Sequence, residues 1–286
     1  MDRPVLIDSQ DLLQHFLERH KGLEKLALDT ETNSFYAYTP RICLIQLTTH
    51  TGDYILDPLA VRELSGLGIL LADNKVEKII HAAENDLAGL WRDFRFRVRN
   101  IFDTAIACRL LGRKRLGLSR ILLEEFNVNH DKKLQRCDWQ KRPLSEEQLA
   151  YAQLDTHFLI PLRDRLYQQL EEKGLWQTAA ARFRRLENFQ PKPLKTWDPN
   201  GYLHIKGCHS LPPASLETLK KLYRYRQRLA RKRNKAPFRI MGNEVLLRLA
   251  REMPQNRHSL AKIKGLPVHF KGKNGAGLLR ILRKST

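Results

Sequence analysis

Paired cysteines are missing from this chain. Cys43, Cys108, Cys137 and Cys208 are widely scattered, and no Cys-x-x-Cys occurs. That argues against a zinc knuckle and gives no disulfide framework. A reduced, cytoplasmic compartment is the expectation. Long apolar runs are missing too. The longest stretch without Asp, Glu, Lys or Arg is Ile42 to Gly52, eleven residues, too short and too polar to cross a bilayer. The opening "MDRPVLIDSQ" has no basic segment followed by an apolar run, so no signal peptide is evident. Acid is nearly missing from one part of the chain. Residues 201–286 hold 3 Asp+Glu against 21 Lys+Arg, whereas residues 1–200 hold 28 against 30. A near-neutral front is thus joined to a back of net charge +18, within a chain of 286 residues and net +20. Such a back suits a polyanionic partner, and the shift in charge falls where the organisation of the chain changes.

What is present supports a folded core, since 42% of residues are hydrophobic. "DLLQHFLERH" (11–20) has helical spacing, while 25–29, 41–49 and 53–57 read as strands rich in branched residues. Their short connections favour antiparallel neighbours. Residues 61–73 read as a helix, 78–82 as a strand, 84–94 as a helix and 98–103 as a strand. Helical patterns follow at 104–111, 118–127 and 145–172, the last expected to bend at Pro161. This predicts an α/β domain with a mixed sheet. "NFQPKPLKTWDPNG" (188–201) has three prolines and no periodicity, which reads as a linker. Beyond it, helices are expected at 215–235, 242–254, 259–265 and 275–284, a small all-α module. "GKNGAG" (272–277) is not a phosphate loop, because no Gly-Lys-Ser/Thr follows it.

"LALDTET" places Asp29 and Glu31 two residues apart at the end of an apolar strand. Residues i and i+2 of a strand share a side, so two like charges stand together and call for a cation. In "HAAENDLAGLW", Asp86 lies in the opening turns of a helix. In "LAYAQLDTHFL", Tyr151 and Asp155 are four apart and share a helix face that Leu149, Ala152 and Phe158 make half-apolar. A carboxylate on such a face needs a partner. All-oxygen donors select magnesium or manganese rather than zinc. Four carboxylates suit a pair of divalent ions about 3.5–4 Å apart, as in phosphate-cleaving sites. Taken singly, Asp86 would pass as a first-turn helix acid, Asp155 as an ion-pair member and Tyr151 as a core residue.

Together, "LALDTET", "HAAENDLAGL" and "YAQLDTHFL" resemble the three exonuclease motifs of the DEDD superfamily, tyrosine subtype, which the Tyr-x-x-x-Asp spacing marks. "NIFDTAIACRLLG" and "CDWQKRPLSEEQLAYAQLDTHFL" resemble the ribonuclease D branch, and the resemblance covers roughly residues 5–190. The second motif departs from the proofreading version, with Asn85 directly before Asp86 and His81 upstream. "LPPASLETLKKLYRYRQRLARKRNKAPFRIMGNEVLLRLAREMPQNRHSLAKIKGL" resembles an HRDC domain, and one copy fits after residue 210.

The resemblance implies a ribonuclease H-like fold, a metal-dependent 3′–5′ exoribonuclease releasing 5′-monophosphates, and two ions, Mg²⁺ or Mn²⁺. It implies that Asp29, Glu31 and Asp155 hold the nucleophile-side ion, that Asp29 and Asp86 hold the second, and that Tyr151 orients the attacking water. Suggested substrates are tRNA precursors and other structured RNA with 3′ extensions, acted on by a monomer. The organisation expected is an exonuclease domain over 1–187, a linker over 188–209 and an HRDC-like module over 210–286. Lys220, Lys221, Arg224, Arg228, Arg231 and Lys232 lie mainly off the apolar stripe of Leu219, Leu222, Leu229 and Ala230, and are the expected nucleic-acid contacts. Tyr223 and Tyr225 suit base stacking or packing, with packing favoured at this spacing. A DNA 3′–5′ exonuclease of the same superfamily and a non-catalytic RNA-binding adaptor are the alternative readings.

Overall fold

The computed structural model describes residues 2–188, 197–272 and 275–283. Two compact units emerge, one of residues 1–33 and 41–192, the other of residues 34–40 and 193–286.

The first unit is built on a six-stranded mixed sheet: β1 (Val5–Ile7), β2 (Lys25–Thr32), β3 (Ile42–Thr49), β4 (Gly52–Leu56), β5 (Glu77–Ile80) and β6 (Ile101–Asp103), in spatial order β1-β4-β3-β2-β5-β6. β2, β3 and β4 are antiparallel neighbours, as their short connections predict. β5 and β6 add in parallel on one side and β1 in parallel on the other. β1 was not expected from the sequence, because three residues are too few to show alternation.

Alternation along β2 assigns its side chains to two faces. Leu26 and Leu28 enter a core shared with α1 (Gln10–Arg19), α2 (Ser65–Ala72) and α3 (Glu84–Phe94). Ala27 faces the other way, into a core shared with α4 (Thr104–Leu110), α5 (Leu118–Phe126), α7 (Leu159–Glu172) and α8 (Trp176–Glu187). α6 (Glu146–His157) lies beside them on that second face, over β3 and β4. The helix expected over 61–73 begins only at Ser65; Val61 and Leu64 are buried ahead of it. α8 was not expected, although Ala179, Phe183 and Leu186 make a buried i, i+4, i+7 stripe. The run expected as one helix bent at Pro161 is instead α6 and α7, separated at Phe158 (φ −94°, ψ 0°). Pro161 then stands in the first turn of α7, where its missing N–H removes no intrahelical bond.

The second unit centres on α9 (Pro213–Lys232), with α10 (Pro237–Ile240), α11 (Asn243–Glu252), α12 (Arg257–Lys262), α13 (Val268–Lys271) and α14 (Ala276–Arg283). α10 and α13 are single turns too short for periodicity to reveal. Leu219, Leu222 and Ala230 are fully buried in its core. Of the stretch read as a linker, 189–196 lies outside the described residues; 197–209 carries two short 3₁₀ turns, and Ile205 and Cys208 are buried in this unit's core. Residues 34–40 belong to the same unit: Ala236 N–H donates to Tyr36 O (2.9 Å), and the Arg239 guanidinium lies 3.6 Å from the Tyr36 ring centroid. No helix among the described residues is long and apolar enough to cross a membrane.

Candidate active site

Asp29 and Glu31 share the face of β2 that carries Ala27, and both are half-buried. Thr30 points to the opposite face and donates its hydroxyl to Asp86 Oδ1 at 2.6 Å. Asp86 therefore reaches the end of β2 from the α3 side of the sheet, while Asp155 comes from α6 on the other side. All four acids, with Tyr151, line one cleft of about 390 Å³. The tip of β2 brings them together, because only there does the sheet cease to separate its two faces.

The turn that delivers Asp86 is held by another acid. Asp103, 2% exposed, accepts from Ala83 N–H (2.9 Å) and Ala82 N–H (3.4 Å), and caps α4 by accepting from Ile106 N–H. Ala82 takes a left-handed conformation (φ 59°) so that α3 can start beside the strand end.

α6 is clamped to the sheet on its far side. Asp53 accepts from Thr48 Oγ1 (2.6 Å), Gln153 Nε2 (2.7 Å) and His157 Nδ1 (2.7 Å). Burial alone would raise the Asp53 pKa; the bonds from His157, Gln153 and Thr48 outweigh it and hold the carboxyl below its usual range. Thr48 and Thr156 hydroxyls meet at 2.8 Å, and Ser145 and Gln148 close a capping box at the start of α6. With α6 fixed, Tyr151 and Asp155 are fixed.

Tyr151 is buried between rings. His130 stacks on it (centroids 4.7 Å, 23°), and fully buried Trp139 lies 5.9 Å away. His130 Nε2 is 3.5 Å from Asp155 Oδ1. Arg142 pins this loop down. It donates to Asp57 Oδ1 (2.8 Å), Cys43 O (3.0 Å) and Trp139 O (2.7 Å). Sequence reasoning gave no role to Thr30, His130, Trp139 or Arg142. Three of them stand in a loop without periodicity, and the fourth sits between two acids that drew the eye.

Crowding perturbs every acid of the cleft. Burial, then Asp86, Asp155 and Glu31, pushes Asp29 well above its normal value. Burial, then Asp155 and Asp86, lifts Glu31 to about 9. Burial, then Asp86, lifts Asp155 to about 8, and burial lifts Asp86 to about 6 against the lowering bond from Thr30. Burial, with Asp155 next, raises Tyr151, so its hydroxyl keeps its proton. Burial lowers His130, which stays neutral at pH 7. Among the described residues no three His, Cys, Asp or Glu side chains form a ready-made metal cage. The donor chemistry nonetheless fits a hard cation. All four ligand candidates offer oxygen, and buried Asp155 Oδ2 has no hydrogen-bond partner among the described residues.

The basic residues lie elsewhere, on α9. Arg224, Arg228, Arg231 and Lys232 are exposed, whereas Lys220 and Lys221 are half-buried, Lys220 with Glu217 Oε2 at 3.5 Å. Tyr223 is 7% exposed within the helical core and Tyr225 packs against that core, so both serve packing.

Residues 4–171 match the 3′–5′ exonuclease family, and residues 215–282 match the HRDC domain. Exosome complex component 10 of Mus musculus is 33% identical over 260 residues, covering 87% of this chain and 29% of that protein. The chain thus spans under a third of the length of that curated relative. The catalytic core of RRP6 from Trypanosoma brucei superposes with a TM-score of 0.89 at 28% identity, covering 98% of this chain and 79% of that one. Escherichia coli RNase D, an exoribonuclease involved in structured RNA processing, gives a TM-score of 0.71 at 28% identity over 100% of this chain and 75% of its own. With the family matched over more than half its length and the fold shared with these structures, the chain belongs to the 3′–5′ exonuclease family and carries an HRDC domain after its catalytic unit.

Proposed function

We propose that this chain is a metal-dependent 3′–5′ exoribonuclease that removes 5′-monophosphates one at a time from RNA 3′ ends. The observation that carries the reading is the convergence of Asp29, Glu31, Asp86, Asp155 and Tyr151 on one cleft at the tip of β2. Asp29, Glu31 and Asp155 would hold one divalent ion, and Asp29 with Asp86 a second, the ions being Mg²⁺ or Mn²⁺. Bound there, divalent ions lower the pKa of water and offset charge on the leaving oxygen. The chain's own residues supply position. Thr30 fixes the Asp86 carboxyl, the Asp53 clamp fixes α6, and the Tyr151 hydroxyl, kept protonated and held between rings, orients the attacking water.

The proposed organisation is chemistry in 1–187, a connection over 188–209 and RNA affinity in 210–286, where Lys220, Lys221, Arg224, Arg228, Arg231 and Lys232 contact phosphates. tRNA precursors and other RNAs with structured bodies and 3′ tails are the proposed substrates, in keeping with the RNA processing role of the E. coli structure's protein. A reducing cytoplasm suits four free cysteines, three of them buried, and the proposed working form is a monomer.

The test is end-labelled RNA with a short 3′ tail, with manganese, with magnesium and with EDTA, beside the matched DNA strand. Stepwise shortening of RNA with release of nucleoside 5′-monophosphates, lost in EDTA and in Asp155→Asn, is expected. Faster cleavage of the DNA strand would move the assignment to a DNA exonuclease. Binding without cleavage under both metals would move it to an adaptor.

A further inference from the structure

Gln46 is a polar residue where the fold asks for an apolar one. It lies midway along β3, it is 0% exposed, and both its amide atoms lack a hydrogen-bond partner among the described residues. Its side of the sheet follows from its neighbours. Thr48, two residues on, meets Thr156 of α6, and Leu44, two residues back, clusters with Tyr151 and Ala152 of α6. Gln46 therefore lies on the α6 face as well. Its register partner on β2 is Asp29, so the two side chains leave the sheet side by side. Above them α6 carries Asp155, whose Oδ2 is also buried and partnerless among the described residues. A buried donor without an acceptor thus shares a sheet face with the helix that carries a buried acceptor without a donor, beside Asp29 in register. Leaving an amide unsatisfied in a core is costly, and a Leu or Met would fill the same strand position without that cost.

We infer that Gln46 is a positioning residue for the Asp29–Asp155 carboxylates: when a divalent cation is held in the cleft, the Gln46 amide N–H donates to a carboxyl oxygen of this pair. The bond fixes the orientation in which the other oxygens face the ion. This is the relation of an outer hydrogen-bond donor to ligating carboxylates, and loss of such a donor commonly weakens metal affinity by about 10–100-fold. The inference rests on the metal-dependent reading of the cleft.

The experiment is manganese binding to the full chain by titration calorimetry, with melting in EDTA measured in parallel. The unaltered chain binds manganese and Asp155→Asn loses that binding. Gln46→Met is expected to bind manganese about ten-fold more weakly or worse, while its melting temperature in EDTA is unchanged or higher, since a buried unsatisfied amide is gone. Should Gln46→Met fail to fold, Gln46→Asn, which keeps the amide but shortens its reach by one methylene, carries the same expectation. A folded Gln46→Met chain, or Gln46→Asn in its place, that binds manganese as tightly as the unaltered chain would overturn the inference and leave a packing residue. No manganese binding by the unaltered chain would instead overturn the metal-dependent reading itself, a different and separately visible failure.

Discussion

Asp155→Asn should make the chain more stable when no metal is bound, and increasingly so as pH rises. Asp155 is 8% exposed, and burial and the neighbouring Asp86 raise its carboxyl from 3.8 to about 8. A carboxyl whose pKa is raised by folding favours the folded state fully below the unfolded value. That contribution is lost as pH climbs, and the loss is complete above the folded value. The window here runs from about pH 4 to about pH 8. One pKa unit corresponds to 1.36 kcal/mol, so between pH 4 and 7 the chain forfeits up to about 4 kcal/mol at this residue. The figure is an upper one, because Glu31 and Asp86 can take up protons in its place. Asparagine mimics the protonated acid and does not titrate. At about 2–4 °C per kcal/mol for a domain of this size, the first unit of Asp155→Asn should melt some 5–10 °C higher than the unaltered chain at pH 7.5 in EDTA. At pH 4.5 the two should melt almost together. Excess manganese should reverse the order at pH 7.5, since only the unaltered chain gains binding energy from the ion. Differential scanning calorimetry at the two pH values, with and without manganese, reads all of this. An Asp155→Asn chain that melts lower than the unaltered chain in EDTA at pH 7.5 would refute the reasoning that mutual crowding of these acids opposes folding.

Three further outcomes follow from the same structure. Tyr151→Phe should cut the single-turnover rate by about 10²–10⁴ with unchanged manganese affinity, and an undiminished rate would reduce Tyr151 to packing. Asp53→Ala removes the acceptor that Thr48, Gln153 and His157 share; urea unfolding should show a loss of about 1–3 kcal/mol, and a loss below about 0.5 kcal/mol would show that α6 is not held there. Replacing exposed Arg224, Arg228, Arg231 and Lys232 together by Ala should weaken RNA binding. It should also flatten the plot of log affinity against log salt by up to about 3, at roughly 0.7 per single-strand phosphate contact, with the cleavage rate of saturated enzyme little changed; an unaltered slope would remove these residues from the interface.

Local periodicity carried a good part of this protein on its face. Alternation alone put Asp29 beside Glu31, and helical spacing alone put Tyr151 over Asp155, because both relations lie within one element. Branched residues and short connections gave the antiparallel order of β2, β3 and β4. The charge contrast between the two parts of the chain needs no coordinates. What periodicity reports is which side of its own element a residue takes, never what stands opposite. Only the assembled sheet brings Asp86 and Asp155 from its two faces to the tip of β2, and only the packing of α6 on β3 covers the face on which Gln46 stands in register with Asp29. His130, Trp139 and Arg142 lie in a loop whose course is set by contacts with residues far along the chain, such as Asp57 and Cys43. The membership of residues 34–40 in the second unit was likewise decided by packing partners distant in sequence. Short-range rules act on neighbours, and the chemistry of this cleft depends on groups up to 126 positions apart, from Asp29 to Asp155.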